Sequence, residues 1–114
     1  MAEMTVNRKA QRILELAMKI NNTPTEREIT GDKPTVFVWF SGHVNILEVE
    51  IHLNGWVENK QSDCTYIFRL SDVDISERMN KMINKRMNKC IELLKDIWRQ
   101  YKPAQIEEVS ANAV

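Results

Sequence analysis

Residues 35–70 read TVFVWFSGHVNILEVEIHLNGWVENKQSDCTYIFRL, and the fold follows from how this stretch alternates. Apolar side chains recur at every second position, the period of strands that bury one face. Turn signals divide the stretch into three strands, about 35–41, 43–53 and 63–70. Ser41-Gly42 predicts a tight first hairpin in which the glycine supplies the positive φ such turns demand. The second loop centres on Glu58-Asn59-Lys60-Gln61. Pairing about that centre sets Leu53 opposite Tyr66, Ile51 opposite Phe68 and Val49 opposite Leu70, while Val36 and Val38 fall beside Val49 and Leu47. All of these share one face, and a slip of one residue would turn the whole set over. The same register places Glu50 beside Arg69 on the opposite face as a cross-strand ion pair.

Outward from the sheet the period lengthens. Val6, Ala10, Ile13, Ala17 and Ile20 recur at spacings of four and three, which predicts a helix over 5–21 with Arg8, Lys9, Arg12 and Glu15 elsewhere around the turn. Leu14 and Leu16 widen its apolar side, and Asn21-Asn22-Thr23-Pro24 stops it. Residues 22–34 connect, with Thr25 and Glu28 spaced as a capping box. On the other side of the sheet Ser71 and Asp74 open a long helix, Glu77 completing a box-like cap, and Pro103 ends it. The expected class is α+β in the order αβββα: one domain over 1–103, a three-stranded antiparallel meander between an N-terminal helix and a long C-terminal helix, with 104–114 a flexible tail.

Composition narrows the function. The chain has 114 residues, 43% of them hydrophobic, and its 16 basic residues balance 16 acidic ones, so no whole-molecule field recruits nucleic acid or an anionic membrane. No stretch approaches the roughly 20 apolar residues of a membrane span, and the first residues lack the pattern of a secretory signal, which sets the cytoplasm as the expected location. Cys64 and Cys90 stand alone, without neighbours at metal spacing, and read as small buried hydrophobes.

Two apolar surfaces exceed what a minimal monomer hides. The last helix, at 28 residues and about 42 Å, outruns an eight-residue strand of about 26 Å, yet its apolar positions persist to the end. Met87, Leu94, Ile97, Trp98 and Tyr101 are therefore expected to meet the same helix of a second copy, the first helix covering part of the stripe. On the sheet's other face Phe37, Trp39, Ile46, Ile67 and Trp56 share space with Glu48, Glu50, His52 and Arg69, where a solvated face would be polar. A protein partner is the expected cover, and the loop 22–34 or the C-terminal tail is the internal alternative.

Catalytic and cofactor signals are thin. His43 and His52 have no third ligand at metal spacing, and Cys64 and His52 point to opposite faces of their hairpin. Glu48 and Glu50 share a face but no cleft, and Gly31, Gly42 and Gly55 make no phosphate loop. No enzyme activity, cofactor or metal is expected. The remaining signal is electrostatic: Arg78, Lys81, Lys85 and Lys89, continued by Lys95 and Arg99, form a basic ridge opposite the apolar stripe, interrupted by Glu92 and Asp96. It supports an alternative reading as a nucleic-acid-binding module.

The helix, three strands and helix resemble a double-stranded RNA-binding domain, in which basic residues at the start of the second helix touch phosphate. Arg78, Lys81, Lys85 and Arg86 hold the similar place here, although Ile75-Ser76-Glu77-Arg78-Met79 replaces that family's small-residue and Lys-Lys pattern. In size and order, from Ser41-Gly42-His43 through the strands into Asp74-Ile75-Ser76-Glu77, the chain is also similar to small accessory proteins of phages and prophages, including anti-CRISPR and other counter-defence factors. That resemblance implies action by binding and blocking another macromolecule. The expectation is a non-enzymatic, homodimeric binding module acting by protein–protein interaction.

Overall fold

The computed structural model describes residues 4–21 and 33–112, the side chains of 101–112 excepted. The elements run α1 (Val6–Ile20), β1 (Thr35–Ser41), β2 (Ile46–His52), β3 (Cys64–Arg69), a short 3-10 helix (Leu70–Asp74) and α2 (Glu77–Asn112). This is the α+β, αβββα order that the alternation implied. The sheet is an antiparallel meander in the order β1-β2-β3, so both β1 and β3 are edges. α1 packs against β1 and α2 against β3, and the two helices pack on each other. One face of the sheet is thereby covered.

The core lies between those layers. Val36, Leu47, Val49, Ile51 and Phe68 of the sheet meet Ile13, Leu16, Ala17 and Ile20 of α1 and Ile83, Met87, Cys90, Ile91, Leu94 and Ile97 of α2. The faces are those expected from the sequence, but the registers differ. β1 and β2 pair Val36 with Ile51 and Val38 with Val49, two residues from the expected alignment, and β2 and β3 pair Leu47 with Phe68 and Val49 with Tyr66, four residues from it. Even slips preserve the face while changing every partner. Glu50 therefore stands opposite Thr65 and Arg69 opposite Ile46, and the expected Glu50–Arg69 pair does not form across the strands.

The loops account for both slips. The first is a four-residue connection closed by Val44 N–H to Ser41 O (3.3 Å), and its left-handed residue is Asn45 (φ 53°), not Gly42. Asparagine tolerates that conformation better than most side chains. The second loop starts at Leu53, whose amide donates to the Asp63 carboxylate (2.7 Å), and it turns through Gly55 (φ 91°) and Asn59 (φ 65°). Leu53 is thus exposed and Leu70 belongs to the 3-10 helix.

Three further expectations change. α2 is capped by Ser76, which accepts from the Met79 amide (3.1 Å), while Asp74 closes the 3-10 helix instead of opening α2. α2 also continues through Pro103 to Asn112, a 36-residue helix that was expected to end at about Lys102. Pro103 has no N–H for the carbonyl four residues back, so the helix forgoes one bond there but is not ended. Lys9, placed on the polar side by its charge, is 1% exposed. The Thr25–Glu28 capping box lies outside the described residues.

Candidate functional site

The sheet face turned away from the helices carries Phe37 and Trp39 of β1, Ile46, Glu48, Glu50 and His52 of β2, and Thr65, Ile67 and Arg69 of β3. Alternation along each strand puts them there. Phe37 and Trp39, two apart, stack with centroids 5.7 Å apart, and the His52 ring meets Phe37 edge-on at 5.6 Å. Trp39 is 46% exposed and Ile67 47%. Ile46 and Phe37 are half-buried, and Trp56 is half-buried in the loop rather than within the strands.

Between the aromatic pair on β1 and Thr65 and Ile67 on β3 run the carboxylates of Glu48 and Glu50, both half-buried. Glu48 faces Trp39 on one side and Ile67 on the other. Neither carboxylate forms an ion pair among the described residues. His52 is 3% exposed and its Nδ1 has no hydrogen-bond partner among the described residues. Apolar rings, acids without ion pairs among the described residues and a buried imidazole whose Nδ1 lacks a partner there thus share one face. No group of three His, Cys, Asp or Glu among the described residues is arranged to hold a metal ion.

The stripe expected to join two subunits lies elsewhere. Met87, Leu94 and Ile97 are buried within a single chain, Trp98 is half-buried against the same core, and the Tyr101 side chain is outside the described set. The apolar character of Met87, Leu94, Ile97 and Trp98 is explained by α1 and the sheet, so these four no longer argue for a second copy along α2. The basic ridge is exposed as expected: Arg78, Lys81, Lys85 and Lys89 line the outward side of the first half of α2. Lys81 pairs with Glu77 (3.3 Å), and in the second half Lys95 pairs with Glu92 (3.4 Å) and Arg99 with Asp96 (2.8 Å). Arg78, Lys85 and Lys89 have no carboxylate partner among the described residues. Arg86 leaves the ridge and lies over the Phe68 ring at 5.2 Å.

Two polar constructions escaped the sequence reading. The Lys9 ammonium donates to Asn84 Oδ1 (2.7 Å), and Asn84 Nδ2 donates to the Asn80 carbonyl (2.9 Å) and side chain (2.7 Å). The signal was spacing: Lys9 stands in line with buried Ile13, Leu16 and Ile20 at intervals of four, three and four. At the end of α1, Asn21 Nδ2 donates to Val36 O (2.7 Å) while its Oδ1 accepts from Val36 N–H (2.8 Å). Nothing in its local sequence sets this asparagine apart from an ordinary helix stop.

The thiols sit on the covered side. Cys64 and Cys90 are both free, and burial first, then the nearby Cys64, pushes the Cys90 thiol up to about 12. Burial, then Cys64 and Cys90, also raises the Tyr66 phenol. No helix among the described residues is long and apolar enough to cross a membrane. The chain matches no protein-family model, and neither the curated proteins nor the solved structures hold a sequence or fold that matches it.

Proposed function

We propose that the chain is a non-enzymatic, self-associating binding module that meets a protein partner through the outer face of its sheet. One observation carries the reading: the half-open Phe37–Trp39 stack lies beside two unpaired, half-buried carboxylates, Glu48 and Glu50. A solvated sheet face has no use for stacked rings, whereas a partner segment that sets a Lys or Arg between apolar groups matches both features. The acids also disfavour phosphate at this face. The resemblance to small phage-encoded counter-defence proteins agrees with action by binding and rests on size and element order.

Trp39→Ala tests it. With a partner captured from the native host and then purified, the variant is expected to weaken binding about 30-fold, the effect of losing a central aromatic anchor worth about 2 kcal/mol. Binding that is unchanged in Trp39→Ala, and also in Glu48→Gln with Glu50→Gln, would place the contact elsewhere.

The exposed ridge favours a second reading, nucleic-acid binding along α2, because three of its cations lack carboxylate partners among the described residues. Three or four phosphate contacts imply an affinity falling roughly 40- to 150-fold between 50 and 200 mM salt. Titration of duplex and single-stranded probes checks this, with loss expected in Lys81→Glu plus Lys85→Glu. No binding at low salt would remove the reading.

A further inference from the structure

We infer that the outer edge of β1, which has no strand beside it among the described residues, pairs antiparallel with the same edge of a second copy, about a two-fold axis through Trp39. The inference deepens the self-association part of the proposed function, and because the pairing sets two Trp39 rings side by side on the outer face, it shares that side chain with the partner contact.

The edge has an unusual composition. β1 reads TVFVWFS, without a charge or a proline, and an edge strand so constituted lacks the devices that normally prevent pairing. Phe40 is 57% exposed and Trp39 nearly half exposed. These are the largest apolar groups on the strand's open end.

The hydrogen-bond pattern then narrows the register. Val36 gives both its N–H and its carbonyl to the Asn21 side chain, so these groups point away from β2. Antiparallel strands alternate bonded and non-bonded pairs, so the backbone groups of Val38 and Phe40 point outward as well. Neither residue's backbone has another partner among the described residues. Asn21 has already filled the first position, which leaves Val38 and Phe40 as the open ones.

That pair of open positions is self-complementary. In a second copy turned antiparallel, Val38 exchanges both backbone bonds with Phe40 of the other chain, and Phe40 does the same with its Val38. Trp39 then faces its own copy across the axis as a non-bonded pair, the arrangement in which cross-strand side chains approach most closely. Shifting two residues one way would oppose Phe40 to Val36, whose groups are taken by Asn21. The pairing joins two three-stranded sheets into one of six, covers Phe40 on the helix side and brings together the Phe37–Trp39 stacks on the outer side. No like charges meet along β1, so a second copy satisfies the edge without electrostatic cost.

The test combines mass and amide exchange. Light scattering after size exclusion at tens of micromolar is expected to give twice the 13.4 kDa of one chain. Val38→Pro removes an outward N–H, which an edge strand tolerates without losing its fold, and is expected to give a monomer with an unchanged circular dichroism spectrum. Phe40→Lys, which puts a charge on the edge, is expected to do the same. In the unmodified chain the Val38 and Phe40 amides should exchange more slowly as concentration rises, while Val36, held by Asn21, should not change with concentration. A monomeric mass at all concentrations overturns self-association altogether. A dimer that persists in folded Val38→Pro, or whose Val38 and Phe40 amides exchange freely, overturns this pairing while leaving another mode of association standing. A monomer that gains amide protection only with an added partner assigns the edge to that protein and overturns the self-pairing.

Discussion

Leu94→Asp is expected to abolish the folded state at neutral pH. Leu94 is fully buried on α2, within the layer formed by Met87, Cys90, Ile97 and the apolar side of α1. An aspartate there loses the leucine's packing and brings an unpaired carboxylate out of water, a cost of several kcal/mol against a total stability of about 5–15 kcal/mol. Leu94→Ala isolates the packing part, about 2–5 kcal/mol, and should remain folded but melt earlier. Lys89→Asp, on the exposed side of the same helix, should change stability by about 0.5 kcal/mol or less. Urea denaturation followed by circular dichroism orders the three. A Leu94→Asp protein with the native spectrum and midpoint would show that α2 does not pack as described.

The second large effect is alkaline. The Cys90 thiol is held protonated in the folded chain up to about 12, chiefly by burial, whereas in the unfolded chain it ionises at about 8.5. Below the unfolded value both states keep the proton and this group contributes no slope. Above it the unfolded chain releases a proton that the folded chain retains, so stability falls with rising pH until the folded value is reached. The slope from one group is at most about 1.4 kcal/mol per pH unit. Tyr66, also raised, adds loss in the same direction above its own unfolded value. Urea midpoints from pH 7.5 to 11 should therefore decline, and Cys90→Ala, though less stable at neutral pH from its cavity, should decline less steeply between pH 8.5 and 10. Equal slopes in both proteins would mean that the thiol ionises in place.

How far the sequence foretold this molecule depended on which interaction decided each feature. Element order and the buried face of every strand rest on periodicity, a property of the chain itself, and both were legible. Register rests on loop length, and there the conformations of Asn45, Gly55 and Asn59 and the Asp63–Leu53 bond decide, none of which the alternation reports. The start of α2 passed from Asp74 to Ser76 because two acceptors stood two residues apart and only tertiary packing of the 3-10 helix chooses between them. Pro103 failed to stop α2 because a proline weakens a helix locally without forbidding it.

The outer face was legible because an apolar residue on the polar side of an alternating strand is an anomaly visible in one dimension. Phe37, Trp39, Ile46 and Ile67 fall where the pattern put them. The stripe through Met87, Leu94 and Ile97 was equally visible, but its destination was not: a helix stripe tells how much surface needs cover and not which element covers it. Lys9 was read by its charge and not by its position, although its long stem lets an ammonium reach Asn84 from inside the core.

The bracket that Asn21 places on Val36 has a wider consequence. A side-chain amide carries the same donor and acceptor as a peptide group, so this residue imitates a strand one unit long and stops there. How many alignments the rim of the sheet offers to a newcomer is thus decided by a residue outside the strand, at the mouth of the preceding connection. Replacing that amide would add to the ways the ribbon can grow without altering a single letter of β1.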